Sequence, residues 1–252
     1  MKTITFSSIK GGTGKSSICI LTANYAASAG YRVLVADLDI QNSATSYYLD
    51  EVGQSERKNM ASALQNEHLA ENIVPSNYPG VDIVASSFNL VKLRSLGEKT
   101  LSKMLKATPL AYDFLLIDTA PTYDNLVLNA LNAADLILTP VAFSQFDYKG
   151  ATFYRDQITV ETEKLSAWRV LFNFYKPAKT DNPDAFRNQW ETLFRDTFGQ
   201  TIAPMTIPDS TLVRRSIDTG EKISNAAEKV RLYSAVEALA DYCGAAKKAG
   251  RF

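Results

Sequence analysis

The chain has 252 residues, 46% hydrophobic and 21% charged, enough apolar material for the core of one large domain and too much for a disordered chain. Lysine plus arginine and aspartate plus glutamate number 27 each, so no bulk positive field draws it to nucleic acid or acidic lipid, and any such binding must come from a local patch. Its two cysteines, Cys19 and Cys243, stand far apart without metal-ligand spacing, which excludes a disulfide framework, gives no zinc site and points to a reducing cytosol.

In chain order, short β-rich apolar runs alternate with longer helical stretches. Ile4–Ile9 reads as a strand leading to a helix over Ser16–Ala29, and Arg32–Ala36 as a strand followed by polar sequence. Val81–Ala85 precedes a helix over Leu96–Ala107; Phe114–Ile117 and Leu136–Val141 are strands. A helix over Phe146–Lys164, a strand over Arg169–Phe174 and helices over Asn182–Phe198 and Arg231–Tyr242 complete the rhythm. Strands of this kind between helices predict one α/β domain over residues 1–252: a mostly parallel twisted sheet with helices on both faces. Leu49–Lys58 and Lys176–Pro183 are polar enough to be loops or lids. No run approaches 18 apolar residues and Met1–Phe6 leads straight into a strand pattern, so neither a membrane span nor a leader peptide is expected, nor a DNA-reading module before Ile4.

The strongest chemical signal is Lys10-Gly11-Gly12-Thr13-Gly14-Lys15-Ser16-Ser17, placed between the first strand and the first helix. Glycines let consecutive backbone N–H groups curl inward toward phosphate oxygens, and the helix start adds its positive dipole end. Lys15 would reach the β and γ phosphates, and the Ser16 hydroxyl would meet Mg²⁺. The general phosphate-loop pattern asks for glycine six positions before Lys15, where this chain has Ile9. Asp37, Asp39 and Asp118 stand at or just past the C-terminal ends of apolar strands, the same sheet edge as the loop, so that their charges can meet one cation.

Lys10 followed by Gly-Gly-Thr-Gly-Lys resembles the deviant Walker A motif of the ParA/MinD family of SIMIBI-like P-loop ATPases, in which an additional lysine precedes the glycines. Residues 32–41, ending Ala36-Asp37-Leu38-Asp39-Ile40-Gln41, look like that family's second strand and switch I, and residues 114–121, with Asp118-Thr119-Ala120-Pro121, like its Walker B and switch II. The resemblance implies ATP and Mg²⁺ as cofactors. It assigns Asp37 and Asp118 to metal-bound waters, Asp39 to the attacking water, and Lys10 to the partner subunit's nucleotide in a sandwich dimer. Ile40 where the family usually has proline, a lone Pro121, and Ser16-Ser17 in place of two threonines depart from the pattern. The first two loosen loops that move with nucleotide state.

Val170–Phe174 resembles the late strand whose asparagine, here Asn173, meets adenine, and Ile207-Pro208 the segment that packs on the base. Asn173 reads equally well as a cap or turn residue. Thr139-Pro140-Val141 with Gln145 and Gly150 looks like the segment along the family's dimer interface. Arg195 matches an arginine used on DNA phosphates by chromosomal relatives, and Arg214 and Arg215 lie in a similar segment. Lys176, Lys179, Arg187 and Lys222 fill out that modest basic cluster. Against this, Arg195 has Glu191 one helical turn away as an ion-pair partner. His68, the single histidine, reads as a surface residue and Cys19 as core packing.

The reading is an ATPase that dimerises on ATP and positions or partitions DNA or another large cargo over the nucleoid, with an adaptor protein stimulating hydrolysis. Two alternatives remain. A membrane-cycling positioner of the MinD kind would need an amphipathic C-terminal helix, and Gly244–Phe252 offers one large apolar side chain and two glycines. A metabolic enzyme on the same fold would need its own substrate motif, and residues 46–110 leave room for one.

Overall fold

The computed structural model describes residues 1–50, 56–176, 186–210 and 226–245. Among them one sheet of eight strands runs through the molecule: β1 (Lys2–Phe6), β2 (Val33–Leu38), β3 (Val74–Pro75), β4 (Val81–Val84), β5 (Phe114–Thr119), β6 (Leu136–Val141), β7 (Trp168–Tyr175) and β8 (Ile202–Pro208). Their spatial order is β3-β4-β2-β5-β1-β6-β7-β8, all parallel except the two-residue β3 at the edge. Helices α1 (Lys15–Ser28), α2 (Ser43–Tyr48), α3 (Met60–Asn66), α4 (Thr100–Ala107), α5 (Asn125–Ala133), α6 (Gln145–Glu161), α7 (Phe186–Phe198) and α8 (Ala226–Cys243) make the connections.

The strands are mostly apolar because both faces are covered, and alternate residues feed different cores. Val33 and Val35 of β2, with Phe114 and Leu116 of β5, join Ile18, Cys19 and Ala23 of α1 and Leu239 of α8 on one face. Leu34, Ala36, Leu115 and Ile117 point the other way, to Met60, Leu101 and Leu126 of α3, α4 and α5. A third cluster joins Ile137 and Phe172 to Tyr154 of α6 and Phe194 of α7. At roughly 1.5–3 kcal/mol per fully buried large apolar side chain, these layers supply most of the gross stabilisation. Cys19 and Cys243 are both buried as packing residues, whereas His68 is exposed.

Several boundaries differ from expectation. The first strand stops at Phe6, although Ser7 N still donates to the Leu138 carbonyl oxygen of β6 at 3.0 Å. The helix expected from Leu96 begins at Thr100, after a 3-10 turn over Phe88–Leu93. Helix α5, whose N-cap Asp124 accepts from Leu126 N and Val127 N at 3.1 and 3.3 Å, and strands β3 and β8 were not anticipated. In β8 the prolines Pro204 and Pro208 break the β-pattern, and contacts with β7 and α8 hold the strand in place. Of the expected loops, residues 51–55 and 177–183 lie outside the described residues. No helix among the described residues is long and apolar enough to cross a membrane.

Candidate nucleotide and metal site

β1, β2 and β5 end side by side, so parallel pairing alone gathers the loop and the acidic residues at one edge. Phe6 is in register with Asp118, and Asp118 with Asp37. From Ser7 the chain climbs through Gly12 (φ 73°) and Gly14 (φ 88°) into α1. Residues with a Cβ resist those left-handed conformations. No side chain caps α1, whose first-turn N–H groups around Lys15, Ser16 and Ser17 are thereby left for an anion.

Lys15 is buried, and its Nζ donates to the Lys10 carbonyl oxygen at 3.4 Å. Burial lowers its pKa, against the opposing pull of the Asp118 and Asp39 charges. Asp37 and Asp118 are both 0% exposed. Asp37 accepts from Asp39 N at 3.0 Å, Thr45 N at 2.9 Å and the Thr45 hydroxyl at 2.7 Å. Burial still pushes its carboxyl up to about 6. Asp118 is different: neither oxygen has a hydrogen-bond partner among the described residues. Burial first and the Asp37 charge second push its pKa well above the carboxylate range, opposed most by the Ser16 hydroxyl and then by Lys15.

An orphaned buried carboxylate beside a second one is the environment a divalent cation relieves. The donors are hard oxygens, suited to Mg²⁺. The described residues contain no group of three His, Cys, Asp or Glu ligands, so a cation held here would need further ligands such as phosphate oxygens and water. Asp39 is 6% exposed; its Oδ1 accepts from Gln41 N at 3.0 Å and its carbonyl from the Ser86 hydroxyl at 2.7 Å. Thr45 and Ser86, tied to each other at 2.8 Å, thus fix both switch I aspartates. They carry no motif, which is why sequence reading missed them.

Lys10 is neither aimed at the loop's own phosphate cradle nor freely solvated. Its Nζ pairs with Asp147 at 2.7 Å and reaches the Ser144 hydroxyl at 3.3 Å. Asp147 is fully buried in the first turn of α6, with Ser144 as its N-cap. The spacing Ser144-Gln145-Phe146-Asp147 is a capping-box pattern and was legible as a helix start.

At the base end, Asn173 is buried and its Nδ2 donates to the Thr13 carbonyl oxygen at 2.7 Å. A Cβ on Gly14 would collide with that amide. The next residue, Phe174, has φ 54°, a strained conformation for an aromatic residue, where the pairing of β7 with β8 slips register. Phe174, Asn173, Gly14, Ile207 and Pro208, with Leu232 of α8, enclose a cavity of about 310 Å³ beside the loop. Its apolar walls and single amide suit a planar base. Phe174 and Leu232 were missed, since only tertiary packing brings them here.

The expected DNA residues lie elsewhere. Arg195 on α7 donates to Glu191 through Nε at 3.1 Å and Nη2 at 2.7 Å, with its guanidinium 5.3 Å from the centre of the Phe172 ring. Glu191 also lies 3.9 Å from Arg187, so one carboxylate is shared by two arginines on this helix face. Arg214 and Arg215, with Lys179 and Lys222, lie outside the described residues.

Residues 1–166 match the family model described as "AAA domain". The chain is 33% identical over 167 residues to the cell division protein PomZ of Myxococcus xanthus, a match covering 64% of this chain and 52% of that protein. It is 28% identical over 232 residues to the chromosome-partitioning ATPase Soj of Thermus thermophilus, covering 89% and 88%. It thus spans about half the length of the first relative and most of the second. The ATP complex of a Cyanothece McdA variant shares the fold, with a TM-score of 0.80 at 16% identity, covering 100% of this chain and 99% of that one.

Proposed function

Because the chain belongs to the AAA-domain family, among its ParA/MinD-type P-loop ATPases, we propose that it is a nucleotide-timed switch that binds ATP with Mg²⁺ and pairs into a homodimer. It hydrolyses ATP slowly until an adaptor protein stimulates it. The cycle positions or partitions DNA, or another large cargo, over the nucleoid.

The register pair Asp37–Asp118 carries this reading: two buried carboxylates, one with no partner, beside a glycine loop that ends on Lys15 and Ser16. Magnesium, when bound, neutralises phosphate charge there. Ser16 would hold it, with Asp37 and Asp118 holding its bound waters. Lys15 exchanges the Lys10 carbonyl for phosphate oxygens, and the uncapped α1 amides cradle them. Asp39, fixed by Gln41 and Ser86, orients the attacking water. Asn173 leaves the Thr13 carbonyl to meet the base, with Pro208 beneath it. Lys10 leaves Asp147 and stabilises charge on the partner's phosphoryl group, as a finger residue does.

Cargo contact runs through non-specific DNA. Arg195 is half-exposed, so exchanging Glu191 for a phosphate costs little. Pairing two modest patches doubles the contacts, which makes binding depend on the ATP dimer. Arg214 and Arg215 belong to the same proposed patch.

The test is light scattering of an Asp39→Ala variant with Mg²⁺ and ATP, which should accumulate dimer. The trapped dimer should bind duplex DNA with a log–log salt slope of about −4 to −5 if roughly four to six phosphates are neutralised. Arg195→Glu should flatten that slope on every sequence alike. A persistent monomer rejects the switch, and a dimer indifferent to DNA at low salt rejects the nucleoid mechanism.

A further inference from the structure

Helix α6 lies along the hinge between β1 and the phosphate loop, making three contacts in helical spacing. Asp147 accepts from Lys10. Gly150 admits Ile9 so closely that a Cβ there would stand 3.3 Å from Ile9 Cγ2. Tyr154 shares a hydrogen bond with Ser7. Residues 147, 150 and 154 form one helix face. They meet residues 10, 9 and 7 in turn, so helix and hinge run antiparallel.

The last contact continues inward. Ser7, Thr119 and Tyr154 are all 0% exposed. Thr119 Oγ1 lies 2.8 Å from Ser7 Oγ and 3.0 Å from the Phe6 carbonyl oxygen. Thr119 donates to the Phe6 carbonyl and to Ser7 Oγ, and the same Ser7 oxygen meets the Tyr154 hydroxyl. An unbroken run of hydroxyl contacts therefore links α6 to the strand in register with Asp118.

Asp118 has no hydrogen bond of its own, so its aim depends on the backbone at Asp118–Thr119, and Thr119 is the pinned residue. We propose that Tyr154 is a positioning residue for Asp118, acting through Ser7 and Thr119, so that the seating of α6 sets the affinity of the site for Mg²⁺. This rests on the reading of Asp118 as a Mg²⁺–nucleotide residue. It makes α6 common to both halves of the site, with Lys10 held at one end and Asp118 aimed two turns later.

Tyr154→Phe keeps the ring and its edge contact with Tyr123, 5.5 Å between centroids, while deleting the hydroxyl that meets Ser7. The measurement is binding of a fluorescent ATP analogue to the full chain, with Mg²⁺ titrated and with a chelator. Chelator-state affinity should stay at the wild-type value, while half-saturating Mg²⁺ rises about three- to tenfold, the loss of one modest hydrogen bond. Thr119→Val should give a similar rise, the double variant little more, and Thr119→Ser a near-normal value. Ser7→Ala breaks the same chain from the loop side and decides the question should Tyr154→Phe not fold. A lower melting temperature with unmoved Mg²⁺ dependence, or additive effects in the double variant, overturns the assignment. If the wild-type chain itself shows no Mg²⁺-dependent nucleotide binding, the functional reading falls and this inference with it.

Discussion

Removing the charge of Asp118 should stabilise the metal-free protein, the reverse of what loss of a buried polar residue usually does. Asp37 sets the scale: burial raises its carboxyl from 3.8 to about 6 although three hydrogen bonds hold it down. About two pKa units correspond to roughly 3 kcal/mol of cost when the group is ionised. Asp118 is equally buried, feels the Asp37 charge and lacks those bonds, so ionising it is costly too. Asp118→Asn keeps the shape and should raise the melting temperature at pH 8; a cost of the size found for Asp37 corresponds to roughly 6–12 °C for a domain of this size. The sign with pH follows from the raised carboxyl: the cost is complete above the folded-state value and vanishes as the native state takes up a proton on acidification. The gain should therefore shrink on acidification and be small once the pH falls to the ordinary carboxylate range. Calorimetry with a chelator present measures it. With Mg²⁺ and ATP the order should invert, because only the wild type gains the cation. A metal-free variant melting at or below the wild type at pH 8 refutes the argument.

Lys15 and Lys10 should fail differently. Lys15→Ala should lose nucleotide affinity in equilibrium binding, whereas Lys10→Ala should bind ATP as a monomer and lose hydrolysis by about a hundredfold or more in a phosphate-release assay; parental hydrolysis by Lys10→Ala would reject its role in trans. Asp147→Asn frees Lys10, which is 38% exposed and easily hydrated, so sedimentation should show the ATP dimer forming at roughly tenfold lower protein concentration, equivalent to about 1.4 kcal/mol. An unchanged midpoint would mean that the ion pair does not compete with dimerisation.

The phosphate edge was legible because local pattern and topology agree there: the glycines need their φ values, and strands of four to eight apolar residues must lie parallel between helices. Asp37, Asp39 and Asp118 could be placed from strand ends alone. What could not be read were partners that depend on packing, such as Thr45 on Asp37, Asp147 on Lys10 or Phe174 at the base cavity, because their sequence neighbourhoods say nothing about what lies across the fold. Strand β8 escaped because Pro204 and Pro208 mask it, and α5 because Asp124 was not read as an N-cap. Arg195 shows the opposite hazard, since the Glu191 spacing and the family position are both real in sequence and only the ion pair appears in this fold.

The two margins of the sheet have a consequence for assembly. At one margin β3 is two residues long and ends in Pro75, and at the other β8 carries Pro204 and Pro208. Neither presents a long ladder of unpaired amides, so continuation of the sheet from one molecule into the next is closed at both sides. The pairing proposed above then runs through the face that carries the glycine loop, where contact would depend on what is bound. Among the described residues, the sheet margins therefore offer little template for edge-to-edge stacking, and in the proposed switch the decision to pair passes from backbone geometry to the ligand.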